Sequence, residues 1–254
     1  TLATLDPPAV AAADLRIGGD RIVERAAGLV PHPDEEVLDL EGGLVMPGLY
    51  AMRARRYMHE TGATPRHLAM IAAKAHDAGA LNPYAQFQNR VTAEEVLASR
   101  MIADPLTLLM CCPTGDGASA AVVTTQKRAA ARGKPVRVAA SVLQSGLYKT
   151  GFRDMASSEL TQRTSKLAYE SAGIGPEDVD LAEIHDAFTI AELMYYEALG
   201  FCEKGGGIGM VERGDTRIAG KKPVNPSGGL LCRGHPVGAT GVAQICESVW
   251  QLRG

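Results

Sequence analysis

The sequence lacks the features that would assign it to several specialised classes of protein. It contains no His-x-His pair, and its five cysteines have no CxxC spacing, so neither a paired-histidine metal site nor a zinc site is predicted. The odd number of cysteines also argues against a disulfide framework. No apolar run approaches the roughly 18 residues of a membrane-spanning helix. With no signal pattern at the N-terminus, we expect a cytoplasmic protein.

The net charge and the composition further limit the classes of protein to which the chain can belong. The net charge is −3, which gives no electrostatic reason to expect nucleic acid or an anionic membrane as a partner. The chain has 254 residues, of which 46% are hydrophobic and 22% charged, values typical of a globular protein with one large or two small domains. The vicinal cysteines Cys111 and Cys112 lie in an apolar stretch and are predicted to be buried thiols.

Residues 1–48 have a different pattern from the rest of the chain. The stretch from Leu15 to Val23 predicts a β-hairpin around a glycine turn, and residues 37–48 predict a second strand pair. This segment resembles the opening β-segment of amidohydrolases, in which Met-Pro-Gly-Leu leads into a metal-binding Asp-x-His-x-His. Here Leu49 is followed by Tyr50 instead, so a domain boundary is predicted near residue 48 and a metal-dependent hydrolase site cannot be assembled.

From Tyr50 onward the pattern predicts an α/β domain. Thr64 and Pro65 open a helix that should continue from Arg66 to about Asp77, and Thr92 forms a capping box with Glu95 for a short helix. The further predicted elements are buried strands ending at residue 123 and covering 136–143 and 179–184, and helices from about 124 to 132, 158–172, 188–199 and 242–252.

Two histidines, fifty residues apart, each lie where an apolar or glycine-rich segment leads into a helix. His185 ends the apolar stretch 179–184, and His235 lies in the glycine-rich run 225–241. A histidine at a strand end and a histidine in a glycine-framed loop can converge on one carbonyl group. Neutral imidazole acts there as a base or as a donor to an oxyanion near pH 7.

The segments His185-Asp186-Ala187-Phe188 and Gly234-His235-Pro236 resemble the His-Asp-x-Phe and Gly-His-Pro motifs of the thiolase superfamily, most closely its sterol-carrier and lipid-transfer branch. The resemblance covers residues 50–254 and implies a partial thiolase fold of the layered αβαβα type. It implies the end of the N-terminal half over 49–133 and a C-terminal domain over 134–254.

The resemblance also assigns roles to particular residues. It implies that His235 activates a nucleophilic cysteine and that His185 polarises the acyl carbonyl. No metal or separate cofactor is implied, because coenzyme A enters as part of the thioester substrate. The residues implied to approach that thioester are Asn225, Gly228, Gly229, Gly234 and Gly238.

The sequence departs from the family pattern at two points. Position 187 is alanine where sterol-carrier-type thiolases commonly have an acid/base cysteine, which favours the retro-aldolases of the lipid-transfer branch. No cysteine occurs in the family's context for the nucleophile; Cys232, three residues before His235, is only a weak alternative.

Three functions therefore stay open. The first is a thiolase-like enzyme for acyl-CoA or steroid-CoA, incomplete alone. Its expected partners are a second copy or a complementary thiolase-like subunit and, for an aldolase, an OB-fold and zinc-ribbon protein. The second is a non-catalytic paralogue that binds CoA esters or associates with thiolase-like chains. The third, an amidohydrolase, is supported by residues 1–48 alone.

Overall fold

The computed structural model describes residues 46–131, 133–147 and 154–254, together with the backbone of four short strands between residues 2 and 26. The chain divides into two compact units, Thr1–Leu49 and Tyr50–Gly254. The further boundary expected at residue 133 stays a prediction. No helix in the described ranges is long and apolar enough to cross a membrane.

The first unit contains two antiparallel strand pairs. Strand β1 (Leu2–Leu5) pairs with β2 (Pro8–Ala11), and β3 (Asp14–Gly18) pairs with β4 (Arg21–Ala26). The second of these pairs confirms the predicted hairpin. Of the strand pair expected at 37–48, residues 37–45 lie outside the described residues. The remainder of that prediction is wrong, because residues 46–48 form the first turn of helix α1 (Met46–Thr61).

Two helices of the second unit begin at the capping residues that the sequence predicts. Helix α2 (Pro65–Gly79) begins after Thr64, whose N–H donates to Nδ1 of His67 at 2.9 Å. Helix α3 (Ala93–Ala98) begins with a reciprocal capping box. The Oγ1 of Thr92 accepts from the N–H of Glu95 at 3.1 Å, and the Glu95 carboxylate accepts from the N–H of Thr92 at 2.7 Å.

The other elements follow in chain order. A short hairpin of β5 (Met101–Ala103) and β6 (Leu106–Thr107) precedes a single 3₁₀ turn. Helix α5 (Glu159–Ala172) is followed by Gly173, whose φ of +71° is the left-handed conformation expected of a glycine cap. The remaining helices are α4 (Gln126–Ala130), α6 (Thr189–Ala198), α7 (Gly207–Arg213), α8 (Gly229–Arg233) and α9 (Val237–Arg253).

Helix α2 lies at the centre of the core and packs against α3, α6, α7 and α8. Its apolar side chains, among them Leu68 and Ile71, are almost completely buried. The approach to α8 is especially close, since a Cβ on Gly79 would lie 2.2 Å from Sγ of Cys232. This packing holds α8, and the glycine-rich loop on both sides of it, against a rigid helix.

The three predicted strands after residue 110 do not form as strands. Residues 179–184 make only one parallel bridge, between Ala182 and Val224. Residues 115–125 and 135–147 have no regular structure, and Val122 and Leu143 are 93% and 95% exposed. A strand needs neighbours to bond its backbone, and every sheet among the described residues has two strands. The described residues therefore contain the helices of the predicted layered fold but only two-stranded sheets.

Candidate active site

The two predicted catalytic histidines lie side by side. The ring centroids of His185 and His235 are 4.7 Å apart, with the rings at 87° to each other. His185 lies just before α6 and is exposed, whereas the three residues after it are buried. His235 lies between α8 and α9 and forms a parallel bridge with Thr114. The fold therefore brings together two segments fifty residues apart at a surface that a substrate can reach.

Asn225 links the segment before His185 to the glycine-rich run that contains His235. Its N–H donates to the carbonyl of Ala182 at 2.8 Å, and its side-chain Oδ1 accepts from the N–H of Ile184 at 2.7 Å. Its φ of +52° is unusual for a residue other than glycine. The side chain is fully buried. These bonds let Asn225 position the loop before α6, and its predicted approach to the thioester stays a prediction.

The four predicted glycines divide into two groups. Gly228, Gly229 and Gly234 are buried and have φ values of +97°, +60° and +100°. Each is in contact with protein: a Cβ on Gly229 would lie 2.1 Å from Oδ2 of Asp186, and one on Gly234 would lie 2.7 Å from Oε1 of Gln86. Gly238, in the first turn of α9, is exposed, and a Cβ there would meet nothing within 4 Å. Of these predicted substrate contacts, only Gly238 faces open space.

The electrostatic setting keeps both imidazoles neutral near pH 7. Partial burial of its ring against the protein, and secondly the charge of His235, lower the pKa of His185. Burial and the nearby Arg233 lower the pKa of His235. Nδ1 of His235 lies 2.8 Å from Oγ1 of Thr240, which is buried in α9. Neutral rings are the form required of a base or of an oxyanion donor.

A buried polar cluster underlies the two histidines, and the sequence analysis did not identify it. Lys74 of α2 forms an ion pair with Glu192 of α6 and donates to the carbonyl of Val224 at 2.8 Å. Tyr196 is fully buried and donates to Glu192. In the sequence, the one sign of this cluster is Lys74, a charged residue on the apolar face of α2.

Asp186 extends this cluster to α8. Its Oδ1 accepts from the N–H of Leu230 at 2.7 Å, while Oδ2 is buried and has no hydrogen-bond partner among the described residues. Burial, and secondly the carboxylate of Glu192, raise the pKa of Asp186. The residue next to His185 is thus bonded to the helix that leads to His235.

Comparison with known proteins assigns the fold. Residues 145–254, which include both histidines, match the family described as "Thiolase C-terminal domain-like". This part of the chain is a thiolase-type domain. The predicted relationship to the thiolase superfamily is confirmed, and no finding tests the amidohydrolase resemblance of residues 1–48.

Curated relatives of the thiolase-type domain extend the match toward the N-terminus. The benzoylsuccinyl-CoA thiolase subunit BbsB of Thauera aromatica is 51% identical over 213 residues, 83% of this chain and 55% of that protein. An acetyl-CoA acetyltransferase of Methanothermobacter thermautotrophicus is 44% identical over 92% of this chain and 61% of its own length. Human sterol carrier protein 2 is 39% identical over 89% of this chain and 41% of its own length. The chain therefore spans about half the length of the relatives it matches.

Two solved structures share the fold. The Ltp2-ChsH2(DUF35) aldolase has a TM-score of 0.71 and 29% identity, over 82% of this chain and 56% of the other. A monomeric SCP2-thiolase-like protein of Mycobacterium smegmatis has a TM-score of 0.60, over 82% of this chain and 45% of the other; at 20% identity it supports the fold alone. These neighbours confirm the predicted partial thiolase fold.

Burial disfavours the thiolate form of four of the five cysteines. Burial raises the pKa of Cys111, Cys202 and Cys232 to about 12 and that of Cys112 to about 11. Cys232 is fully buried, and its Sγ donates to the carbonyl of Phe87 at 2.8 Å, so it is unsuited to be the nucleophile. The backbone N–H of Cys112 donates to the carbonyl of Ala187 at 2.9 Å.

Proposed function

We propose that this chain acts on acyl-CoA or steroid-CoA thioesters, with His185 and His235 as the catalytic pair that cleaves or forms a carbon–carbon bond. The observation that carries the proposal is the 4.7 Å separation of the two imidazoles at an accessible surface. Coenzyme A is then part of the substrate and not a resident cofactor. Identities of 39–51% to thiolase, acetyltransferase and sterol carrier proteins support the substrate class.

Retro-aldol cleavage of a β-hydroxyacyl-CoA is the reaction that these residues support best. His235 takes the proton of the β-hydroxyl group, the Cα–Cβ bond breaks, and its electron pair becomes the enolate of the shortened thioester. A carbonyl compound leaves, and the enolate takes up a proton at Cα. His185 donates a hydrogen bond to the enolate oxygen. The reaction needs a base and an oxyanion donor but no thiolate, which agrees with Ala187 and with the raised thiol pKa values.

Turnover assays test this proposal directly. The purified chain is incubated with a β-hydroxyacyl-CoA, and separately with acetoacetyl-CoA plus coenzyme A, with and without the partner described below. We expect cleavage of the first substrate, its loss in His185→Ala and His235→Ala, and no change in His59→Ala, an exposed histidine of α1. Cleavage that survives His235→Ala, or no cleavage in any combination, would contradict the proposal.

A complementary chain is the partner that the surface favours over a second copy. Residues 118–124 and 136–143 have the composition of buried strands yet are largely exposed. Such segments pair readily with added strands. Relatives contain an equivalent of this chain plus a comparable length that it does not match. An OB-fold and zinc-ribbon partner is a separate proposal, supported by the Ltp2-ChsH2(DUF35) aldolase among the neighbours.

Co-expression tests for that partner. The probe is the part of the Thauera aromatica subunit outside the matched 213 residues, and co-purification with hydrogen–deuterium exchange is the readout. We expect a complex in which residues 118–124 and 136–143 are protected. Val122→Lys should abolish it, whereas Leu81→Lys, at another exposed apolar side chain, should not. Protection elsewhere, or a complex that tolerates Val122→Lys, would contradict this mode of pairing.

A non-catalytic role is the second candidate function. The raised pKa of four of the five thiols favours it over thiolytic cleavage, which needs a thiolate beside the base. Retro-aldol cleavage needs no thiolate, so the turnover assays decide between that reaction and a non-catalytic role. In that case the chain binds CoA esters without turnover. Calorimetric binding of acetyl-CoA, combined with absence of turnover in every assembly, would establish this candidate in place of the first.

A further inference from the structure

The hydroxyl group of Thr240 lies between the ring of His235 and the backbone of the same loop. Oγ1 is 2.8 Å from Nδ1 of His235 and 3.1 Å from the carbonyl oxygen of Pro236. Thr240 is 2% exposed, so water does not compete for these contacts. Because a hydroxyl group has a single hydrogen, it donates to one of these two neighbours only.

One arrangement of hydrogens turns both close contacts into hydrogen bonds. If the hydroxyl hydrogen goes to the Pro236 carbonyl, Oγ1 accepts the Nδ1–H of His235. If it goes to Nδ1 instead, two oxygen atoms face each other at 3.1 Å without a hydrogen between them. A threonine in the first turns of a helix also commonly donates to the carbonyl four residues before it. Both considerations favour the first arrangement.

We propose that Thr240 is a positioning residue that holds the proton of neutral His235 on Nδ1 and thereby leaves Nε2 free to act as the base. The inference rests on the proposed function of His235 but concerns a property of the free protein. Thr240 itself does not touch the substrate. His185 makes no hydrogen bond to any described residue, so its ring is free to turn an N–H toward the substrate while His235 presents a lone pair.

The test reads the tautomer directly. The full chain is labelled with ¹⁵N, and long-range ¹H–¹⁵N correlation spectra are recorded at pH 8 without substrate, with His235→Gln identifying the resonances. We expect the wild-type ring to be protonated on Nδ1. Thr240→Val, which keeps the shape and removes the hydroxyl, should change the ratio of tautomers about fivefold toward Nε2–H, the factor that a typical hydrogen bond supplies.

Two further variants separate this role from a general effect on packing. Thr240→Ser keeps the hydroxyl and should retain the wild-type tautomer. Thr189→Val alters another buried threonine, whose hydroxyl has no hydrogen-bond partner in the described part of the chain, and should leave the tautomer ratio of His235 unchanged. A wild-type ring protonated on Nε2 would overturn the proposal even if Thr240→Val did not fold. An unchanged ratio in Thr240→Val, or an equal change in Thr189→Val, would overturn it as well.

The proposed tautomer and the proposed reaction can be contradicted independently of each other. In an assembly that turns over substrate, Thr240→Val should lower kcat about fivefold with KM unchanged, and Thr240→Ser should restore it. If the tautomer behaves as expected but His235→Ala leaves turnover intact, the proposed function is wrong and the hydrogen bond stands. If His235 is essential but its proton is on Nε2, only the role of Thr240 is wrong.

Discussion

Replacing Gly229 by alanine should strongly destabilise the thiolase-type unit. The new Cβ would lie 2.1 Å from Oδ2 of Asp186 and 2.7 Å from Nδ2 of Asn225. Both of these side chains are buried, so neither can move into solvent. The φ of +60° adds a backbone penalty of about 1–2 kcal/mol for any residue with a side chain. Overpacking of a buried site adds about 1–3 kcal/mol.

The sum, about 2–5 kcal/mol, is large enough to measure in thermal unfolding. For a domain of this size 1 kcal/mol corresponds to about 2–4 °C, so the melting temperature should fall by roughly 4–20 °C. Gly238→Ala is the matched control, because its Cβ meets open space within the first turn of α9. That variant should be as stable as the wild type, or more stable by up to about 1 kcal/mol.

The comparison refutes the structural argument if the two variants behave alike. A Gly229→Ala protein that melts with the wild type would mean that the loop does not pack on Asp186 as described. The pair also separates stability from binding. Gly238 is the one predicted glycine contact that faces open space. A stable Gly238→Ala protein with weakened affinity for acetyl-CoA would therefore place the substrate over α9.

Three further predictions follow from the pKa values. Burial raises the pKa of Glu183 to about 7 from 4.5, so the folded protein keeps a proton that the unfolded chain loses, and the free energy of unfolding should fall by about 3 kcal/mol as the pH rises from 4.5 to 7. In Glu183→Gln, urea midpoints should depend less on pH across that range. An unchanged dependence on pH would contradict this. NMR titration should give midpoints below 6.5 for His185 and His235, and higher values would remove the argument for neutral rings. Iodoacetamide at pH 8 should alkylate Cys111 and Cys232 far more slowly than free cysteine, as mass spectrometry can show; equal rates would indicate exposed thiolates.

Local signals in the sequence predicted the ends of several helices, although α1, α7 and α8 were not predicted. Thr64, Thr92 and Gly173 mark helix ends through bonds to residues within four positions, and the structure has a helix boundary at each. The histidine pair was predicted for a different reason. His185 and His235 lie in motifs that resemble those of one family, and the structure places their rings in contact.

Contacts between distant segments could not be predicted in this way. Lys74 and Glu192 are 118 residues apart, and neither position has a neighbour in sequence that indicates a buried ion pair. The glycine-rich loop was ambiguous for a related reason. Gly229 supports close approach of a backbone, but the sequence does not say whether a ligand or Asp186 is the group that approaches.

The missing strands follow from the same distinction between local and distant contacts. Residues 118–124 and 136–143 favour extended structure through their own side chains, yet a strand satisfies its backbone only through bonds to another segment. Helix α4, between them, forms because its bonds are internal. The composition of these segments therefore predicts that they belong to a sheet. The exposure of Val122 and Leu143 shows that the described residues do not supply the rest of that sheet. Both segments have apolar residues at odd and at even positions, the pattern of a strand whose two faces are covered. Whatever completes the sheet therefore has to bring strands and also a layer that covers them.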